Sequence, residues 1–317
     1  MQRTQYFLIP AIVIIAAVLG HFFPMPGGPV IAMLAGMALA PFAEKSGIVG
    51  TCRKISKTAL LWAVIFLGLG LDIHTIGSLG KSTWVLMIVT VCFGLVVTGI
   101  YARLIGLRGP VALLVAVGTS ICGGSAIAAV AGISRAKDDE TAQALSTIFM
   151  FNIVAAVAFP LAGKALGLDA VAFGEWAGTA INDTSSVLAA AFAYGALAGA
   201  IGMQVKMART LMILPVSFGV AMFMRKQGKA TGSWKKVLPL PAIGFAAALL
   251  IRFIGNGAPA EIWTGAGFIG QLLMILALGC IGLVSHLGNM WRTGKLALLA
   301  GGLGSVSLAV FSYFIHS

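Results

Sequence analysis

Residues 118–129 read GTSICGGSAIAA, and residues 178–189 read GTAINDTSSVLA. At an offset of sixty positions Gly118 matches Gly178, Thr119 matches Thr179, Ile121 matches Ile181 and Ser125 matches Ser185. Both stretches lie inside long apolar runs, where small and hydroxylated residues interrupt the helical pattern. Glycine costs about 1 kcal/mol relative to alanine in a helix, so Gly118, Gly123 and Gly124 predict a break. A broken helix inside a bilayer frees backbone N–H and C=O groups, which is tolerable only where they line a cavity or find new partners.

The surrounding composition makes the bilayer the required solvent. Of 317 residues, 59% are hydrophobic and 9% are charged, against about 25% charged in soluble domains. Such a chain cannot cover its own surface in water. Disorder, coiled coil and a disulfide scaffold are excluded by the same numbers. The 41 glycines suit close helix packing in lipid. The four cysteines, Cys52, Cys92, Cys122 and Cys280, have no metal-ligand spacing and read as free thiols. Neither a metal nor a cofactor is implied.

Apolar runs long enough to cross about 30 Å of hydrocarbon fall near 6–23, 29–43, 58–76, 83–104, 110–133, 142–163, 174–197, 203–224, 237–254, 262–286 and 295–316. The first reads as a membrane helix rather than a cleaved signal peptide. The expected fold is an all-α polytopic membrane protein of ten or eleven transmembrane helices. It forms a single transporter domain over 1–317, with repeat halves about 29–163 and 174–316. Strict alternation puts fifteen of the 21 Lys and Arg on one side and five on the other, with Arg209 inside a span. The rich side is cytoplasmic and holds the N-terminus. This distribution argues against nucleic acid as the partner of the net +12 charge. One segment fits alternation poorly: RAKDDE, 135–140, is assigned outside yet has the charge density of a cytoplasmic turn, unless the fifth span is re-entrant.

Alternation makes the two motif-bearing spans parallel. A second similarity pairs LLWAVIFLGLGLDIH, ending at His74, with LLMILALGCIGLVSH, ending at His286. Those two spans are expected antiparallel, as inverted repeats require.

The candidate site follows from the polar residues at mid-membrane depth. Thr119, Ser120, Cys122, Gly123, Gly124 and Ser125 offer hydroxyls, a thiol and the N-terminal end of a half-helix, which attracts anions. Asn182, Thr184, Ser185 and Ser186 form the second polar cluster around Asp183. That residue is the acid placed deep in an apolar run, at a cost of at least about 2.5–3.5 kcal/mol. It therefore calls for a cation, a proton, a partner or a role as helix N-cap. Lys206 and Arg209, at i and i+3, share a helix face and either attract an anion or pair with Asp183. Asn152 lies inside the sixth span, and Pro160 and Pro215 are expected to kink their helices.

These motifs, GTSICGGSAIAA and GEWAGTAINDTSSV followed by KMARTLMILPVSF, resemble those of the YeiH-type family of bacterial inner-membrane proteins, described as sulfate exporters. The resemblance runs from roughly Gly36 to the C-terminus. It implies the fold of the cation:proton antiporter and bile-acid transporter class, with inverted repeats and crossing broken helices. It also implies Thr119, Ser120, Cys122, Gly123 and Ser125, then Asn182, Asp183, Thr184 and Ser185, then Lys206 and Arg209, as site elements. Many relatives carry His where this chain has Asn182, so an imidazole proton acceptor is missing at that position.

The functional expectation is secondary transport of a small anion, sulfate, sulfite or an organosulfur anion, with export favoured. Two negative charges moving outward through 100 mV gain roughly 4.6 kcal/mol. The alternative is a Na⁺:proton antiporter using Asp183, with H⁺ or Na⁺ as partner ion. An intramembrane enzyme lacks its constellation: there is no HExxH and no second buried Asp. A homodimer is compatible with the chain, which identifies no interface for it.

Overall fold

The computed structural model describes residues 28–46, 48–71, 81–226, 240–255, 257–284 and 287–316. The first expected span, 6–23, and both histidines that end the second repeat pair, His74 and His286, lie outside them.

Every described element is helical. In chain order they are α1 (Gly28–Ser46), α2 (Val49–Leu69), α3 (Lys81–Leu104), α4 (Pro110–Ser120), α5 (Gly124–Ala131), α6 (Asp138–Ala165), α7 (Ala170–Ala180), α8 (Thr184–Tyr194), α9 (Ala196–Thr210), α10 (Ile213–Lys226), α11 (Leu240–Ile254), α12 (Ala260–Val284) and α13 (Leu287–His316). Among the described residues, five stretches are long and apolar enough to cross a membrane: Thr83–Leu104, Asp138–Ala165, Leu197–Arg225, Ala260–Val284 and Gly294–Ile315. Large side chains such as Leu104, Leu161, Phe218, Phe268 and Phe314 stand exposed on them. Apolar residues turned outward at this density require lipid rather than water around them. The chain is an all-α polytopic membrane protein.

Proline explains one interruption. Pro215 has no N–H for the Leu211 carbonyl and its ring crowds that group, so helix stops at Thr210 and resumes at Ile213. Pro160, by contrast, sits inside the unbroken α6.

The chain divides into two compact units. The first contains residues 1–71, 128–143 and 214–293. Here α12 runs antiparallel to α2, since Gly70 meets Gly267 and Leu67 meets Gly270. Gly36 of α1 faces Gly282 of α12 backbone to backbone, a packing that only small residues permit. Cys52 and Cys280 are buried in this core with Ala32, Ala43 and Leu283. The ion pair between Arg53 Nε and Asp138 Oδ2, 2.7 Å apart, ties the start of α6 to the start of α2. RAKDDE therefore lies at the same end as Arg53, not across the bilayer from it as strict alternation has it.

The second unit contains residues 72–127, 144–213 and 294–317. It is organised by two helical hairpins. A Cβ on Gly118 would sit 2.8 Å from the Ile127 side chain; nine residues along one continuous helix would be about 13.5 Å apart. So α5 folds back against α4. The second hairpin is defined by α9. Gly174 and Gly178 of α7 meet Ala198 and Gly202 in parallel, whereas Phe192 and Val187 of α8 meet Gly199 and Gly202 in antiparallel order. The rings of Phe173 and Tyr194, at opposite sequence ends of this hairpin, stack with centroids 3.8 Å apart. Tyr194 also donates to the Leu168 carbonyl.

The two hairpins point in opposite directions along α6. Gly124, at the first tip, meets Leu145 and Phe149, and its second arm leads back to the start of α6. On the other half of α6, Phe159 stacks on Trp176, and Gly163 faces the Phe173 and Tyr194 rings at the base of the second hairpin. The runs 110–133 and 174–197, read from sequence as parallel broken spans, are thus opposed hairpins. Their breaks fall where the glycines and polar clusters predicted.

Candidate functional site

Both hairpins reverse over three residues, Ile121–Gly123 and Ile181–Asp183. At the first tip Gly123 takes φ +65°, a left-handed conformation that an L side chain resists by roughly 1–2 kcal/mol. The tips are neighbours: a Cβ on Gly123 would lie 3.6 Å from the Asn182 carbonyl and 3.7 Å from Asn152 Nδ2.

The first arms, α4 and α7, end here with carbonyls that have no helical partner. Two cations from α9 satisfy them. Lys206 Nζ donates to Ile121 O at 3.1 Å and Ile181 O at 2.6 Å, one carbonyl from each tip. Arg209 donates from Nε (3.1 Å) and Nη2 (2.6 Å) to Ser120 O, and from Nη1 to Thr179 O. Both side chains are completely buried. They neutralise two negative helix ends and fasten the hairpins to one post. Lys206 and Arg209 share a face, as i and i+3 spacing predicts, and that face donates to the carbonyls of Ser120, Ile121, Thr179 and Ile181.

The second arms, α5 and α8, begin at the same place with N–H groups and positive ends. Asp183 is the N-cap of α8: its Oδ2 accepts from Ser186 N at 3.1 Å and from the Ser186 hydroxyl at 3.3 Å. This is the capping role the sequence offered as one of its alternatives. At the start of α5, Cys122 Sγ and Ser125 Oγ lie 2.7 Å apart.

The remaining sequence-derived candidates sort by what holds them. The Ser120 hydroxyl donates to Ala116 O at 2.6 Å inside its own helix, which leaves the carbonyl as its contribution to the tip. Gly124 opens α5, and Thr184 and Ser185 open α8; the Ser185 side chain is outside the described residues. Thr119 and Asn182 are buried, and Thr119 Oγ1 and Asn182 Oδ1 have no hydrogen-bond partner.

Sequence reasoning noted Asn152 without assigning it to the site. It projects from α6, accepts the Asn182 N–H through Oδ1 at 3.1 Å, and leaves its buried Nδ2 unpartnered. The available signal was an amide in the apolar run TIFMFNIVAAVAF. No group of His, Cys, Asp and Glu suited to a metal occurs among the described residues.

A family model described as conserved hypothetical protein 698 matches residues 6–301. The chain is 37% identical over 310 residues to a UPF0324 membrane protein of Streptococcus pyogenes serotype M6, covering 93% of this chain and 90% of the relative. It is 36% identical over 298 residues to one from Streptococcus pneumoniae (90% and 88% covered) and 36% over 296 residues to one from Streptococcus agalactiae (89% and 87%). No solved structure matches.

Proposed function

The chain belongs to the UPF0324 family of membrane proteins, and from that premise we propose that it is a secondary transporter of a small oxyanion or organosulfur anion, exporting it across the bacterial inner membrane. The observation that carries the reading is the meeting of four half-helix ends at the hairpin tips. The two negative ends are cancelled by Lys206 and Arg209. The positive ends of α5 and α8 remain, with Asp183 placed on only the second. Two buried cations against one nearby carboxylate leave surplus positive charge, which in a low-dielectric interior favours an anion.

On this reading Lys206 and Arg209 act through their field and by holding the tips. The contacting groups are Thr119, Cys122, Gly123, Gly124 and Ser125 from the first hairpin and Asn182, Thr184, Ser185 and Ser186 from the second. Alternating access by the movement of one helix bundle against another is the transport scheme. Each negative charge moved outward through 100 mV gains about 2.3 kcal/mol, which favours export without a coupling ion. The N-terminus is cytoplasmic in this scheme, from the positive-charge distribution.

A Na⁺:proton antiporter is the second reading, since the Asp183 carboxylate stands at a hairpin tip. Its hydrogen bonds to Ser186 and the two cations nearby weigh against a bound cation.

The test is counterflow of labelled sulfate into liposomes containing the purified protein, with sulfite and taurine as competitors, a set membrane potential and a Na⁺-free arm. Saturable uptake subject to competition is expected. Na⁺-driven proton movement without anion flux would transfer the case to the antiporter.

A further inference from the structure

Three buried polar atoms on the elements that form or flank the hairpin tips have no hydrogen-bond partner: Thr119 Oγ1 near the end of α4, Asn152 Nδ2 on α6 and Asn182 Oδ1 at the second tip. Their residues are 0%, 2% and 2% exposed. A buried polar group without a partner costs about 1–3 kcal/mol, and Asn152 Nδ2 and the Asn182 carbonyl, 3.7 and 3.6 Å from the same point at Gly123, mark a place for something else to complete.

Their chemistry is specific. The Asn152 amide is oriented by its own hydrogen bond: Oδ1 accepts from Asn182 N, so Nδ2 is the free end and a pure donor. It lies 3.7 Å from where a Gly123 Cβ would be and so faces the first tip. Asn182, whose backbone is held by that same amide, offers Oδ1 as a pure acceptor. The Thr119 hydroxyl does either. Lys206 and Arg209, one residue layer away, bond the carbonyls of the adjoining residues Ser120, Ile121 and Ile181.

We propose that Asn152, Asn182 and Thr119 form the recognition group of this site, and that they select a monovalent oxyanion still carrying a proton, such as hydrogen sulfite, over one that only accepts hydrogen bonds. The inference rests on the anion-transport reading above and narrows its substrate class. A protonated monoanion accepts from Asn152 Nδ2 and donates to Asn182 Oδ1. A sulfate dianion has no donor and sets its oxygens against that carbonyl. Charge points the same way, because two cations and the Asp183 carboxylate leave room for one negative charge. Asn152 becomes a binding residue contributed by α6, the helix along which both hairpins lie.

The experiment compares half-saturation for hydrogen sulfite, methanesulfonate and sulfate in proteoliposomes at mildly acidic pH. Hydrogen sulfite and methanesulfonate share a charge but only the first has a proton to donate. The wild type is expected to prefer hydrogen sulfite over methanesulfonate by about tenfold or more, the worth of one good hydrogen bond left unmade. Asn182→Leu should bring that ratio to about one while methanesulfonate still enters. Asn152→Asp keeps the Oδ1 bond to Asn182 and removes the donor, so it should weaken all three anions; it serves if the leucine variant does not fold. Equal half-saturation for the two monoanions in wild type, or a ratio unchanged in Asn182→Leu, overturns the inference and leaves anion transport standing. Absence of saturable flux for all three overturns both.

Discussion

The guanidinium of Arg209 donates twice to the carbonyl oxygen of Ser120, from Nε at 3.1 Å and from Nη2 at 2.6 Å. With its further bond to Thr179 O, one side chain on α9 closes the first arm of each hairpin. Removing it strands two buried carbonyls, each costing about 1–3 kcal/mol. Arg209→Ala is therefore expected to lose roughly 2–5 kcal/mol of stability, seen as a lower melting temperature in detergent. Arg209→Lys keeps the charge but not the fork geometry, so it should fall between. An alanine variant as stable as wild type would refute the tethering role.

Asp183 separates capping from coupling. Asparagine caps a helix about as well as aspartate, so Asp183→Asn should preserve the start of α8 and the melting temperature. Asp183→Ala should cost about 1 kcal/mol. If the carboxylate also carries a proton or cation during transport, the asparagine variant loses pH-dependent or Na⁺-dependent flux while remaining folded. Normal coupled transport in that variant would remove Asp183 from the mechanism and leave it a cap.

Much of this was legible in the sequence because bilayer constraints are local. Apolar runs of about twenty residues correspond to helices such as α3, α6, α12 and α13, and the breaks at Ile121–Gly123 and Ile181–Asp183 fall on the glycine and polar clusters. What could not be read was the sense of each broken run. A run of 24 residues with a central break, as 110–133 and 174–197 are, is long enough to cross or to return, and hydropathy is the same in both cases. The difference is decided by non-local contacts, Ile127 against Gly118 and Phe173 against Tyr194. Likewise the amide of Asn152 stands out in its apolar run but does not reveal which site it serves, because its partner Asn182 is thirty residues away.

The reversal of both hairpins changes which residues face which side of the membrane. α6, from Asp138 to Ala165, is 28 residues long and at 1.5 Å per residue spans about 42 Å, enough to cross. Its start is fixed beside Arg53 by the ion pair with Asp138. Arg135 and Lys137 then join the Arg53 end of the helices, the cytoplasmic one in the proposed orientation, and Lys164 takes the opposite end. The gain of Arg135 and Lys137 outweighs the loss of Lys164, so the tally goes from fifteen against five to sixteen against four. The positive-charge bias becomes steeper, whereas an alternating reading gives the opposite assignment for all three. The runs after α8 keep their orientation, because the two hairpins offset each other in the count. In a background with Cys52, Cys92, Cys122 and Cys280 replaced, Lys137→Cys should react with an impermeant maleimide only from the cytoplasmic face, together with Lys54→Cys. Lys164→Cys should react only from outside. Labelling of residues 137 and 54 from opposite faces would mean that the Arg53–Asp138 pair does not form in the membrane, and the returning path of the first hairpin would fall with it.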